Sequence, residues 1–343
     1  MLTLIYFVLI LGLVVFIHEF GHFLVAKKCG VHCYEFSLGM GPKLFSFNRK
    51  NDETTYSLRL FPIGGYVQMA GEEIEEVDSV PKEKQLVGKP AGQKICIVLA
   101  GIFNNFVLGL LLLFLMALIY GGTDSKPYVD SATPEYSAYK AGMRDGDLIK
   151  KMNGKKVKST DDVLVMFELI KEGESVNFTL EDASGKVKEI TVKPTEEDGS
   201  YIYGISLNGK ETHGFVNAVK YSFTKFASII RTMFKIIGGL FTGRLGLNNF
   251  SGPVGIYTVV GEQAKAGFQN IIYFTAYISI NVGFVNLMPI PAFDGGRAFF
   301  LIIEKIRKKP MNQKVENTIH TIGFCILMLL IVIITINDII KLF

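Results

Sequence analysis

Apolar and polar positions are segregated along this chain into long blocks. Four blocks stay apolar for the length of a bilayer, 1–26, 95–120, 268–293 and 318–340, and each exceeds the ~20 residues that carry a helix across roughly 30 Å of hydrocarbon. The stretch 27–94 between the first two is richer in short strand-like runs. Between the second and third, the pattern becomes brief alternating runs punctuated by Gly, Asn and Asp. This arrangement predicts a polytopic α-helical membrane protein with four transmembrane helices, a β-hairpin region after the first span, and a soluble α+β insert after the second.

Composition agrees. Hydrophobic residues make up 49% of the chain, charged residues 20%, and the mean hydropathy is +0.32, too apolar for a soluble protein and too charged for a wholly embedded one. The first block lacks a basic leader and is followed by "HEFGHFLVAKK" rather than a small-residue cleavage site, so it reads as a retained span. Basic residues orient the chain. Lys27, Lys28, Lys43, Arg49, Lys50 and Arg59 follow span one, and Arg297, Lys305, Arg307, Lys308, Lys309 and Lys314 follow span three. The positive-inside rule then predicts that 27–94 and 294–317 are cytoplasmic loops, with the insert and both termini extracytoplasmic in a multi-pass cell-membrane protein. A net charge of +4 gives no reason to expect a nucleic-acid partner. Cys29, Cys33, Cys96 and Cys325 lie in or beside spans and predict no disulfide; Cys29, His32 and Cys33 lack the second ligand pair of a thiolate zinc site.

Within 27–94, Thr55, Ser57 and Arg59 alternate with Tyr56, Leu58 and Leu60, the pattern of a half-buried hairpin. In the insert, Asn153-Gly154 suits a type I′ turn. Thr160 to Ile170 reads as a helix capped by Ser159 or Thr160. "SVNFTLED" and "KEITVKP" read as strands around the turn "ASGK". The segment 213–242 is amphipathic, with Lys220, Lys225, Arg231 and Lys235 on one side and Phe215, Val219, Phe223, Phe226, Ile230, Phe234, Ile237 and Phe241 on the other. It is expected to lie in the outer membrane–water interface.

Ionisable residues inside a span are costly and mark function, and the first span carries "IHEFGHF". His18 and His22 are four apart, so a helix stacks their imidazoles on one face, as two zinc ligands require. Glu19 is offset around the helix yet within reach of a water on such an ion, where it can act as general base. Alone, this spacing also occurs without metal. The third span ends "NLMPIPAFDGGR", where Pro289 and Pro291 must break the helix just before Asp294. Spans one and three run in the same direction, so Asp294 and the two His lie at similar depth, near the cytoplasmic side. A His₂Asp zinc site is reasonable there. A plain helix-terminal turn is the other reading of Asp294.

"HEFGH" and "NLMPIPAFDGG" together resemble the site-2 protease family of intramembrane zinc metalloproteases, in its bacterial branch. "FSLGMGPKLF", "FPIGGYVQMAGE", "LAGIFNNF" and "SGPVGI" extend the resemblance over nearly the whole chain. It implies Zn²⁺ as cofactor, with His18, His22 and Asp294 as ligands and Glu19 as catalytic acid/base. It also implies substrate contact by Asn286 and by Asn105, and a β-region dipping back toward the site. Ile102 stands where the family commonly has Pro, and Arg297 where it has His. "AYKAGMRDGDLIKKMNGKKV" resembles a PDZ domain, expected over 124–196 as a single extracytoplasmic copy that binds peptide ends or gates access. The implied activity is site-2 cleavage of single-span membrane proteins, such as an anti-sigma factor or remnant signal peptides, after an upstream site-1 protease has trimmed them. Two other classes fit fewer features: a PDZ-bearing membrane scaffold without chemistry, and a divalent-metal transporter.

Overall fold

Leu2–Lys28 forms α1, an unbroken apolar helix without Pro, whose last turn carries Lys27 and Lys28, placed favourably against the helix dipole. Gly30 ends it with φ 69°, and the Val31 amide returns to the Ala26 carbonyl at 2.9 Å, a left-handed glycine stop. The computed structural model describes residues 2–50, 52–72, 79–197, 199–207, 209, 211–246, 250–309, 311 and 313–341. It divides into two units, Met1–Leu112 with Ser251–Phe343, and Leu113–Phe250.

In the first unit, β1 (Cys33–Asn48) and β2 (Thr55–Met69) make a bent sheet. Glu35 to Leu38 have partners on both sides, Gly65–Gln68 and Thr55–Leu58, while Lys43 to Asn48 pair with Arg59 to Thr55. Gly65–Met69 is thereby a sheet edge whose ladder partners, among the described residues, lie on β1 alone. Phe23, Ala26, Val31, Phe36, Val67, Met69 and Ile97 bury together and fasten this sheet to the C-terminal end of α1. Glu35 is held by Arg59 at 2.9 Å, Lys43 at 2.9 Å and Ser57. Burial opposes its ionisation, but the Ser57, Lys43 and Arg59 bonds prevail and hold its carboxyl down at about 2. Next comes α2 (Ala91–Tyr120), four residues longer at its start than the apolar block suggests.

The second unit contains β3 (Gly122–Thr123), β4 (Val129–Ala132), α3 (Ser137–Lys140), β5 (Leu148–Met152), β6 (Lys155–Lys156) and α4 (Thr160–Glu168). It continues with β7 (Val176–Glu181), β8 (Val187–Val192), β9 (Thr195–Glu197), β10 (Ser200–Ile202), β11 (Ile205–Leu207), β12 (Glu211–Thr212) and α5 (Phe215–Phe241). A sheet in the order β6-β5-β7-β8 covers a core of Val129, Met143, Ile149, Met152, Val163, Phe178 and Leu180. Asn153 and Gly154 turn with φ 49° and 75°, both positive as a type I′ turn demands. Ser159 caps α4 by accepting the Asp162 amide at 3.2 Å. The module runs past 196, because β11 pairs with β4 and β12 with β3. On α5 the basic side is engaged: Lys225 meets Asp161 at 2.7 Å and Lys235 meets Asp162 at 2.5 Å, both on α4. Phe215, Phe223, Phe234 and Phe241 of the same helix are exposed.

The chain then adds α6 (Pro253–Ala266), α7 (Phe268–Leu287), α8 (Asp294–Arg307) and α9 (Gln313–Ile340) to the first unit. Among the described residues four helices, α1, α2, α7 and α9, are long and apolar enough to cross a membrane. The third apolar block does not stay helical to 293. α7 stops at Leu287, Met288 turns extended, and helix resumes only at Asp294, because Pro289 and Pro291 cannot continue it. The loop expected over 294–317 is largely α8, a helix whose apolar residues share one face. Asp338 near the end of α9 accepts the Gly255 amide at 2.8 Å, tying α9 to the start of α6.

Candidate metal centre

The i, i+4 spacing on α1 brings the His18 and His22 rings edge to face with centroids 4.8 Å apart, and their Nε2 atoms are 3.2 Å apart. Asp294, the first residue of α8, places Oδ2 3.0 Å from His18 Nε2 and 3.3 Å from His22 Nε2. Ligand atoms of the three residues lie within 4.8 Å of one another, the one such group among the described residues.

The break after α7 makes this possible. Gly295 and Gly296 pack so closely on the carbonyls of Leu287, Met288 and Ile290 that a Cβ at either would collide with backbone. Ala292 adopts φ 84°, and its amide donates to His320 Nδ1 of α9 at 3.1 Å. The turn is thus fixed from two helices before the chain reaches Asp294.

α2 forms the back wall. The Nδ1 of His22 lies 2.8 Å from the Ile97 carbonyl, and that of His18 lies 3.2 Å from Asn105 Nδ2. A Cβ on Gly21 would strike the Ala100 carbonyl, and one on Gly101 would strike His22 Nε2 and stand 2.9 Å from His18 ring atoms. Glycine at these positions is what lets α1 and α2 approach. Gly101 and the Ile97 carbonyl escaped the sequence reading; "LAGIFNNF" held the signal, since small residues in an apolar helix mark close helix contacts.

Glu19 is half-buried beside the pair, in the field of His22, His18, Asp294 and Glu72. The sheet edge passes it: a Cβ on Gly65 would stand 3.5 Å from Glu19 Cγ. Asn286 is half-buried in the last turn of α7 and, among the described residues, makes no hydrogen bond to the side chains of His18, His22 or Asp294. Asn105, grouped with it by resemblance, is instead fully buried against His18. Arg297 pairs with Glu72 at 2.5 Å, a contact between α8 and the end of the hairpin region that the sequence did not disclose.

The residues suit zinc. Two imidazoles and one carboxylate are the three protein donors typical of hydrolytic zinc sites. Asp294 Oδ2 has the Nε2 atoms of His18 and His22 as its close polar neighbours, at 3.0 and 3.3 Å, so three donor atoms converge on one point as a shared cation would require. The Ile97 carbonyl can only accept, so it holds the proton of His22 on Nδ1 and leaves the Nε2 lone pair facing Asp294.

Bilayer-length helices, four among the described residues, with this donor set carried by α1 and α8, fit a membrane-integral, metal-dependent hydrolase. The chain belongs to Peptidase family M50, whose profile matches residues 6–330. It is 33% identical to the zinc metalloprotease RasP of Shouchella clausii and 32% identical to the regulator of sigma-W protease RasP of Bacillus subtilis, covering 99% of both chains in each case. A putative zinc metalloprotease of Fusobacterium nucleatum is 36% identical over the full length of both chains. Among solved structures, the PDZ domain of an SdrC-like protein from Listeria monocytogenes aligns with 25% of this chain and 90% of its own, at 25% identity and TM-score 0.22. The protein is a membrane-integral zinc metalloprotease of the site-2 type, and its cofactor is Zn²⁺.

Proposed function

We propose that this protease hydrolyses a peptide bond inside the transmembrane segment of single-span proteins, with His18, His22 and Asp294 holding zinc and Glu19 as acid/base. The convergence of the three ligand side chains, with Glu19 and a free strand edge beside them, carries this reading. Bound zinc supplies a Lewis acid that acidifies water and polarises a carbonyl. Glu19 takes the proton of the attacking water and returns it to the leaving amine. The edge Gly65–Met69 pairs with the unwound substrate, satisfying backbone groups that have no water to turn to in the bilayer. Exposed Met40, Leu44, Phe45 and Phe61 on the same sheet suit a hairpin that dips among lipid tails. Asn286, in the turn before the break, holds the substrate backbone.

The Lys and Arg bias of 27–94 and 294–317 supports a cytoplasmic-side active site, with both termini and the 122–212 module outside. That module acts as a PDZ-like gate that admits substrates already shortened by a first protease. The exposed Phe arc of α5 rests on the outer lipid surface. The name of the Bacillus subtilis relative makes an anti-sigma factor the first substrate class to try. The test uses purified protein and a reporter span. Glu19→Gln should keep zinc and lower cleavage by about 10²-fold or more; unchanged cleavage would overturn the mechanism.

A further inference from the structure

Asn105 is fully buried in α2 and has no surface to offer a substrate. Its Nδ2 lies 3.2 Å from His18 Nδ1, while its Oδ1 is buried without a partner among the described residues. Its backbone is pinned from the other side: Ser279 Oγ of α7, itself fully buried, donates to the Asn105 carbonyl at 2.8 Å. A Cβ on Gly283 of α7 would stand 3.4 Å from Asn105 Cβ. The side chain, fully buried and in contact with His18 through Nδ2, can exchange its two amide ends in place by turning end for end.

That turn has a chemical consequence. A histidine that binds metal through Nε2 carries its proton on Nδ1, and that proton needs an acceptor. His22 has one in the Ile97 carbonyl. With Nδ2 toward His18, Asn105 donates, so the His18 proton sits on Nε2 and points at Asp294. With Oδ1 toward His18, Asn105 accepts from Nδ1–H, and the Nε2 lone pair faces the other two ligands. The two ends of the amide are nearly the same size, and in each orientation one end bonds His18 and the other does not. What differs is which ring nitrogen is free to bind.

We propose that Asn105 is a positioning residue for the zinc site: its Oδ1 accepts the Nδ1–H of His18 and fixes the tautomer in which Nε2 is a ligand. This rests on the zinc-protease reading above and replaces the substrate-contact role that resemblance suggested for Asn105.

The test is zinc competition against a chromogenic chelator, using purified full-length protein and the variants Asn105→Asp and Asn105→Ala. Aspartate keeps an acceptor and removes the donor; alanine removes both. Losing a partner of this kind weakens metal binding by about 10–100-fold, so Asn105→Ala should release zinc that much more readily. Asn105→Asp should stay within about 3-fold of wild type, well inside that range. The inference is overturned if Asn105→Ala binds zinc as wild type does, or if Asn105→Asp is as weak as Asn105→Ala. A substrate contact would instead raise KM in both variants at unchanged zinc affinity, which also overturns it. Should Asn105→Ala not elute as folded protein, Asn105→Asp decides alone: retained zinc supports the role and lost zinc ends it. Failure of the parent reading looks different, because wild type itself would then lack zinc.

Discussion

The carbonyl oxygen of Ile97 lies 2.8 Å from His22 Nδ1, 75 positions away along the chain. One helix thus sets the proton of a histidine carried by another, and this depends on how closely the two helices approach. Gly101 is the point of contact. Gly101→Ala is expected to push the imidazoles apart and weaken zinc binding by about 10-fold or more, the scale seen when ligand orientation is lost. Gly92→Ala on the same helix would meet nothing within 4 Å among the described residues and should leave zinc binding near wild type. Chelator competition on the two variants checks the contrast.

The sheet edge beside Glu19 gives a second expectation. A Cβ on Gly65 would stand 2.7 Å from the Ser37 carbonyl as well as against Glu19. Gly65→Val should therefore displace the edge, lower kcat/KM for a reporter span by about 10-fold or more, and leave zinc content intact, since it removes alignment rather than a ligand. Zinc content and cleavage measured on one preparation separate the two effects.

The turn before Asp294 stores strain at Ala292, at φ 84°. Ala292→Gly should be neutral or mildly stabilising, because glycine adopts this backbone freely. Ala292→Val should cost about 1–3 kcal/mol and weaken zinc binding by loosening Asp294. Thermal unfolding with and without added zinc reads both.

Asp162 joins α4 to α5 through Lys235, with Arg231 at 3.9 Å and the Lys158 amide at 3.0 Å. Burial alone would raise its pKa; the Lys235 bond and the Lys158 amide outweigh it and hold the carboxyl below its ordinary 3.8. A depressed acid stabilises the fold above its unfolded pKa and ceases to do so as pH falls through the folded one. Amide exchange in α4 and α5 should therefore accelerate in Asp162→Asn near neutrality, and the difference from wild type should shrink as pH falls below 3.8. A difference that does not change with pH would assign the effect to packing. Lys235→Met, which leaves the buried carboxylate short of a partner, should cost about 1–3 kcal/mol.

Much of this was legible in the chain. His18 and His22 declare themselves by spacing within an apolar run, and Pro289 with Pro291 announces the break that frees Asp294. Local rules suffice there. They fail where a partner is remote. Nothing near Asn105 tells that its amide faces His18, and nothing near Arg297 tells that Glu72 awaits it. A helical wheel shows the charges of α5 but not that Asp161 and Asp162 consume Lys225 and Lys235. β11 and β12 were missed for the same reason: strands of two or three residues have no readable alternation, and their partners β4 and β3 stand far back in the chain.

The central claim is that His18, His22 and Asp294 grip one zinc ion. Zinc-edge X-ray absorption on purified full-length protein tests it most directly. The expected spectrum shows one zinc per chain with two imidazole nitrogens at about 2.0–2.1 Å and the rest of the shell oxygen, lost in Asp294→Ala. A sulfur shell at about 2.3 Å, or stoichiometric zinc that persists without Asp294, would contradict it.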